Sequence, residues 1–154
     1  MSYVLILGSA PDALLAKDWP INQFDSIVAI NNAWKIRNDW THNIFPTDFP
    51  AIKRPSANKN QCLVSAKDYV PAQNFYGGFV YGGGTMALTA AYWTLAVLKP
   101  KHLFFLGCDM VYGSGKTHFY GTGTADPLRK DISLRSLEAK SARFECLASL
   151  ADCT

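Results

Sequence analysis

An open, mostly parallel α/β sheet with helices on both faces is what this chain predicts, on three observations. Two apolar runs, Tyr3-Val4-Leu5-Ile6-Leu7 and Lys101-His102-Leu103-Phe104-Phe105-Leu106, each end in a turn of small or polar residues, Gly8-Ser9-Ala10-Pro11 and Gly107-Cys108-Asp109. Runs apolar at nearly every position suit buried parallel strands, whose two faces are both covered. The third observation is the stretch Met86 to Leu98, apolar nearly all round and therefore a central helix. Ligands of such sheets sit beyond the carboxyl ends of the strands, so Ser9, Ala10, Cys108 and Asp109 are site candidates before any motif is considered.

The elements follow in order. After the first strand, Pro11 to Lys17 reads as a short helix, since Pro is tolerated in a first turn, and Asp18-Trp19-Pro20 ends it. Phe24 to Ile30 is the second strand; it stops at Asn31-Asn32, and Ala33 to Asn38 supplies a helical turn or two. His42 to Phe45 is a short third strand with Thr47-Asp48 just past it, and Gln61 to Ser65 a fourth. Phe49 to Asn60, with Pro50 and Pro55, is surface loop or ragged helix. Lys67 to Tyr81 looks aromatic and irregular, and Gly82-Gly83-Gly84-Thr85 then opens the apolar helix, which Lys99-Pro100 closes. The second apolar run is the fifth strand. Met110 to Leu128 is a Gly- and aromatic-rich loop of the length that lids and binding loops have. Ser133 to Ala151 is a last helix with Leu137, Ser141, Phe144, Ala148 and Ala151 on one stripe. The chain stops where such a fold would normally supply another strand, so the expectation is a small sheet or a truncated one.

With 154 residues, 49% hydrophobic and 18% charged, one domain is expected. A net charge of +3 and a pI near 8.7 suit an anionic ligand, but the basic residues are scattered, which speaks against nucleic acid and for a small phosphorylated molecule. The four cysteines, Cys62, Cys108, Cys146 and Cys153, have no C-x-x-C spacing, and two of them fall in apolar strand patterns; reduced thiols in a cytoplasmic protein are expected. No apolar run nears the ~20 residues of a membrane helix, so no membrane insertion is expected. Oligomeric state is not legible.

Gly113-Ser114-Gly115-Lys116-Thr117 resembles a phosphate loop, yet the required glycine five residues before Gly115 is Met110, and His118-Phe119-Tyr120-Gly121 does not open a helix. The first turn lacks the G-x-G-x-x-G of a dinucleotide site. It can still present backbone N–H groups and a hydroxyl to an anion or ribose, or be an unliganded βα turn. Asn31-Asn32 can contact a base or a sugar hydroxyl, or cap a helix. Gly82-Gly83-Gly84-Thr85 allows backbone to approach a ligand closely, with Thr85 capping the helix or binding phosphate, or gives steric relief alone. Asp109 can bind a hydroxyl, orient a base or cap its turn. His118, on the long loop, is the histidine placed for proton transfer near neutral pH, whereas His42 and His102 read as structural. No two histidines share metal-ligand spacing, so no metal and no cofactor are expected.

The order of these motifs, G-x-x-P after the first strand, Asn after the second, small residues opening a buried helix and Gly-x-Asp after the next strand, resembles the small bacterial sialyltransferase family. That resemblance covers most of residues 3 to 122 and implies a Rossmann-like domain holding a cytidine monophosphate sugar donor without metal. By position, Ser9 stands where the family has its first Asn, Asn31 is the second, Gly83-Gly84 takes the place of Ser-Gly, and Gly107-Cys108-Asp109 is Gly-x-Asp. The family's base falls near Thr122, which cannot serve, so His118 takes that role. The expected function is therefore a glycosyltransferase-like domain with a nucleotide-sugar donor. Its catalytic candidates are His118 and Asp109. Gly8, Ser9, Ala10, Asn31, Asn32, Gly83, Gly84, Thr85, Gly107 and Tyr120 are expected to bind the substrate. Alternatives are a non-catalytic nucleotide-binding module and, from a weaker likeness to archaeal-type pterin pyrophosphokinases resting on the first turn and Thr47-Asp48, an Mg²⁺-dependent phosphotransfer enzyme.

Overall fold

In a computed structural model, described over residues 2–77, 85–109, 115–122 and 137–154, the chain forms a five-stranded, all-parallel sheet. The strands are β1 (Tyr3–Leu7), β2 (Ser26–Ile30), β3 (His42–Ile44), β4 (Cys62–Val64) and β5 (His102–Leu106), in the spatial order β4-β3-β2-β1-β5. The chain lays strands outward from β1 to β4, then returns to the far side of β1, in register Leu5 with Phe104. That reversal makes the carboxyl ends of β1 and β5 the topological switch point of a Rossmann-like α/β sheet. The expected fold class is the observed one.

Alternate residues of the central strands feed two cores, as the two-residue period of a strand requires. Val4, Ile6, Val28, Ile30, Ile44 and Val64 face three α-helices: α1 (Ala66–Phe75), α2 (Met86–Val97) and α3 (Leu137–Leu150). Leu5, Leu7, Ile27 and Ala29 face the other way, onto two short 3-10 helices, Pro11–Asp18 and Asn31–Lys35. That second layer is built on Ala13, Ala16, Ala29 and Ala33, all fully buried, and small side chains let thin helices sit close to the sheet. α2 is the central helix, with every residue from Ala87 to Leu95 buried. Among the described residues no helix is long and apolar enough to cross a membrane.

Several expectations are corrected. Residues 66–75 are helical, not irregular: Ser65 and Asp68 form a capping box, with the Ser65 N–H donating to the Asp68 carboxylate at 2.8 Å. The helix tolerates Pro71, and Tyr69 and Ala72 of its inner face enter the core. β5 is not a buried strand but an edge strand, with Phe104 43% and Phe105 44% exposed. Cys62 lies exposed on the opposite edge, so its place in an apolar run does not bury it. On α3 the stripe narrows to Phe144 and Ala148; Ser141 and Ala151 are exposed.

A buried cation closes the first 3-10 helix. Arg37 donates to the carbonyls of Ala16 (2.7 Å), Trp19 (3.2 Å) and Pro20 (3.2 Å), and its Nε donates to Asp39 at 2.8 Å. Hydrogen bonding to Asp39 raises the Arg37 pKa, and the same bond holds the Asp39 carboxyl below its usual range. The charge is compensated and three terminal carbonyls are satisfied at once.

At the switch point two glycines leave no room for a side chain. A Cβ on Gly8 would lie 2.0 Å from the Gly107 carbonyl oxygen, and one on Gly107, whose φ is +69°, would lie 2.5 Å from the Ala13 Cβ. Gly8→Ala and Gly107→Ala are each expected to cost about 3 kcal/mol or more, because backbone and a short rigid side chain must move. Gly115→Ala, at φ +103° with no described atom within 4 Å, should cost only about 1 kcal/mol of backbone strain. Urea denaturation of the three variants checks this; a Gly8→Ala protein as stable as the parent would refute the steric argument.

Candidate functional site

The first turn is fastened across the switch point by its own backbone. The Gly8 N–H donates to the Leu106 carbonyl at 2.8 Å and the Ala10 N–H to the Gly107 carbonyl at 3.1 Å. This corrects the expectation for Ala10, whose amide is spent within the fold. Pro11 has no N–H, and Asp12 puts a carboxylate into the first helical turn, where an anion would be repelled. The turn is therefore a joint between β1 and β5 and no phosphate cradle.

The carbonyl of Ser9 faces outward and accepts the Phe119 N–H at 2.8 Å. Phe119 also packs against the second core, so one residue pins the distal segment both by backbone and by side chain. His118 and Gly121 exchange backbone hydrogen bonds of 2.9 and 3.1 Å, closing a tight turn in which Gly121 has φ +134°. His118 and Tyr120 thus emerge on either side of an anchored residue, their ring centroids 4.9 Å apart. The His118 Nδ1 is 2.8 Å from the Thr117 hydroxyl.

Electrostatics favour a neutral His118. Partial burial lowers its pKa, and the nearby carboxylate of Asp109, at the end of β5, opposes that shift without cancelling it. A neutral imidazole beside a carboxylate is competent to take a proton near pH 7. Cys108, between Gly107 and Asp109, is not a nucleophile: burial, assisted by the Asp109 charge, pushes its thiol up to about 12. The structure brings Gly8, Ser9, Gly107, Asp109, His118 and Tyr120 to one edge of the sheet.

One strand further along the same edge, β2 ends at Asn31-Asn32. Asn31 adopts φ +51°, a left-handed conformation that Asn tolerates, and opens the 3-10 helix. Asn43, fully buried in β3, donates through Nδ2 to the carbonyls of Ala29 (2.9 Å) and Asn31 (3.0 Å). Those bonds fix which end of the Asn43 amide is oxygen. The side-chain oxygens of Asn31, Asn32 and Asn43 are all buried and have no hydrogen-bond partner among the described residues. An unsatisfied buried acceptor costs roughly 1–3 kcal/mol, and three of them gathered where β2 and β3 end mark that place as a candidate site for a ligand with donor groups. Sequence reasoning missed Asn43, and its signal was an amide inside a run otherwise destined for burial.

Other expected site residues lie apart or outside. Thr85 is the N-cap of α2, its hydroxyl accepting the Ala87 N–H at 3.3 Å, and it is 8% exposed. Gly83 and Gly84 fall outside the described residues. His42 bonds Thr41 and packs on the Trp93 ring at 5.1 Å, its pKa lowered by burial, and His102 stacks on Tyr3 at 4.9 Å. Among the described residues no three His, Cys, Asp or Glu side chains gather as a metal site. An apolar groove of about 420 Å³, lined by Tyr3, Trp19, Phe24 and Phe104 among others, opens on the 3-10 face beside β5, away from this edge.

No protein-family model matches the chain, and neither a curated protein nor a solved structure is significantly similar to it.

The His118 titration should have its midpoint below that of an ordinary imidazole, and Asp109→Asn should lower it further by removing a charge that opposes the shift. NMR of the imidazole protons against pH measures both. A midpoint that rises in Asp109→Asn would show that the carboxylate does not act on His118.

Proposed function

We propose that this chain is a nucleotide-binding domain of the glycosyltransferase kind, with a nucleotide-sugar donor of the cytidine monophosphate type lying across the carboxyl ends of β5, β1 and β2. The observation that carries the reading is the set of buried, partnerless amide oxygens of Asn31, Asn32 and Asn43. A ribose hydroxyl or an exocyclic base amine supplies the donors those oxygens lack. Neighbouring strands lie about 5 Å apart, so the amides at β2 and β3 and the His118–Asp109 pair at β5 are separated by about 10–15 Å, within the span of one nucleotide and its sugar.

In the transfer step, the neutral His118 accepts the proton of an acceptor hydroxyl as that oxygen forms its bond to the anomeric carbon of the donor sugar. The bond between that carbon and the phosphate oxygen breaks, and cytidine monophosphate leaves with the electron pair. Asp109 stabilises the imidazolium that results. Tyr120, whose ring lies against His118, bounds the place of the acceptor.

A second reading, nucleotide binding without turnover, is favoured by the first turn. With the Ala10 amide bonded to Gly107 and Asp12 in the first helical turn, leaving phosphate receives little help from that side.

Calorimetric titration with cytidine monophosphate, with and without EDTA, tests both readings. Binding indifferent to EDTA is expected. Asn43→Ala should weaken it about tenfold, and His118→Ala should leave it unchanged while lowering turnover of a cytidine monophosphate sugar donor by about 100-fold or more. Binding with no turnover in the parent protein favours the second reading. The absence of any nucleotide affinity would sink both.

A further inference from the structure

The connection from β3 to β4 brings a cation to the edge where the asparagines gather. Ile30 pairs with Ile44, so Phe45, the residue after β3, comes opposite Asn31. Phe45 is buried, and the Arg54 guanidinium lies over its ring with Cζ 4.6 Å from the centroid. Nε and Nη2 of Arg54 both donate to the Phe49 carbonyl, at 3.2 and 2.7 Å, and the Phe49 ring stacks on Phe45 at 5.8 Å. The same connection is tied to the 3-10 helix that Asn31 opens, because Trp34 Nε1 donates to the Lys53 carbonyl at 3.1 Å. Arg54 therefore has a fixed direction beside Asn31.

The fold does not use the charge that it fixes there. Arg37, the buried cation of the first layer, is matched by a carboxylate and three carbonyls. Arg54 is half-buried, spends two of its five N–H groups on one carbonyl, and among the described residues makes no ion pair and no hydrogen bond from Nη1. Unused donors on Arg54 thus adjoin the unused acceptors of Asn31 and Asn32. The terminal torsion of an asparagine is soft, so half-buried Asn31 can turn its oxygen outward without moving backbone.

We propose that Arg54 and the Asn31–Asn32 amides read the pairing edge of the base, and that the base they fit is cytosine; this rests on the nucleotide reading above. Cytosine presents an amine at N4 followed by two acceptors, N3 and O2. The amide oxygens accept from N4, and the fork of free N–H groups on Arg54 donates to N3 and O2. Uracil sets an acceptor against the amides and an N–H against the guanidinium, so both contacts turn repulsive. Adenine offers an amine and one acceptor, which leaves half of the fork unmatched. A phosphate on Arg54 is disfavoured, because the amide oxygens beside it are acceptors and the reacting phosphate belongs near His118.

Calorimetric titration of the whole chain with the 5′-monophosphates of cytidine, uridine and adenosine, in the parent and in Arg54→Lys, tests the assignment. Lysine keeps the charge and loses the fork. The parent is expected to prefer the cytidine nucleotide to the uridine one by about 30-fold, and Arg54→Lys to cut that preference to about threefold by weakening the cytidine nucleotide. No affinity for cytidine monophosphate in the parent would remove the nucleotide reading and this inference together. Affinity with the same preference in parent and variant would overturn this inference alone. Equal binding of uridine or adenosine monophosphate by the parent would do so without any variant, and so would inorganic phosphate that displaces the cytidine nucleotide from the parent but not from Arg54→Lys, since Arg54 would then be an anion site.

Discussion

Two stretches of backbone without side chains meet where β1 and β5 end, and the geometry of the site depends on that contact. Gly8 and Gly107 approach so closely that the carbonyl of one occupies the space of a Cβ on the other. The hydrogen bonds that follow, Gly8 to Leu106 and Ala10 to Gly107, lock the turn at the switch point. Because the turn is locked, the Ser9 carbonyl has a fixed direction, and Phe119 can bind to it. His118 owes its place beside Asp109 to that sequence of constraints, each link a backbone bond that no side-chain substitution at the site itself would replace.

The same contact shapes the layers around the sheet. Gly107 presses against Ala13, so the first 3-10 helix must lie close, and alanines at 13, 16, 29 and 33 make that possible. A thin layer of this kind covers the middle of the sheet but not its margin, and the groove beside β5 is the result. On the other face three full helices cover the sheet, with the apolar α2 at their centre. The described layers are therefore asymmetric: a thick α-helical side, and a thin side with a groove at its margin.

Strands and the central helix were legible in the sequence because continuous apolar runs bounded by Gly and Pro leave few alternatives. α1 was not, since Pro71 and the aromatic residues around it mask a helix that its capping box, Ser65 with Asp68, announces. The exposure of β5 was not legible either: a strand apolar on both faces has the same composition whether its neighbour is present or not. At the site, Asp109 and His118 could be named from sequence, but the loss of the Ala10 amide could not, because its partner lies about a hundred residues away in the chain. Asn43 was hidden for the opposite reason, being an amide in a position that pattern reasoning assigns to the core.

The two halves of the site differ in what they offer a ligand. Near β1 the Gly8 and Ala10 amides are consumed, and the first helical turn carries a carboxylate, so that half attracts negative charge weakly. Near β2 and β3 three buried amide oxygens lack donors among the described residues, so that half suits N–H and O–H groups better than an anion. A free phosphate matches neither half well, whereas a nucleoside presents donors on both its sugar and its base. In the proposed reading, affinity comes from the nucleoside end, and the bond at the phosphate breaks as His118 takes the proton of the acceptor hydroxyl. Under the proposed function, the buried oxygens and the spent amide act together: the nucleotide is held by the part that does not react.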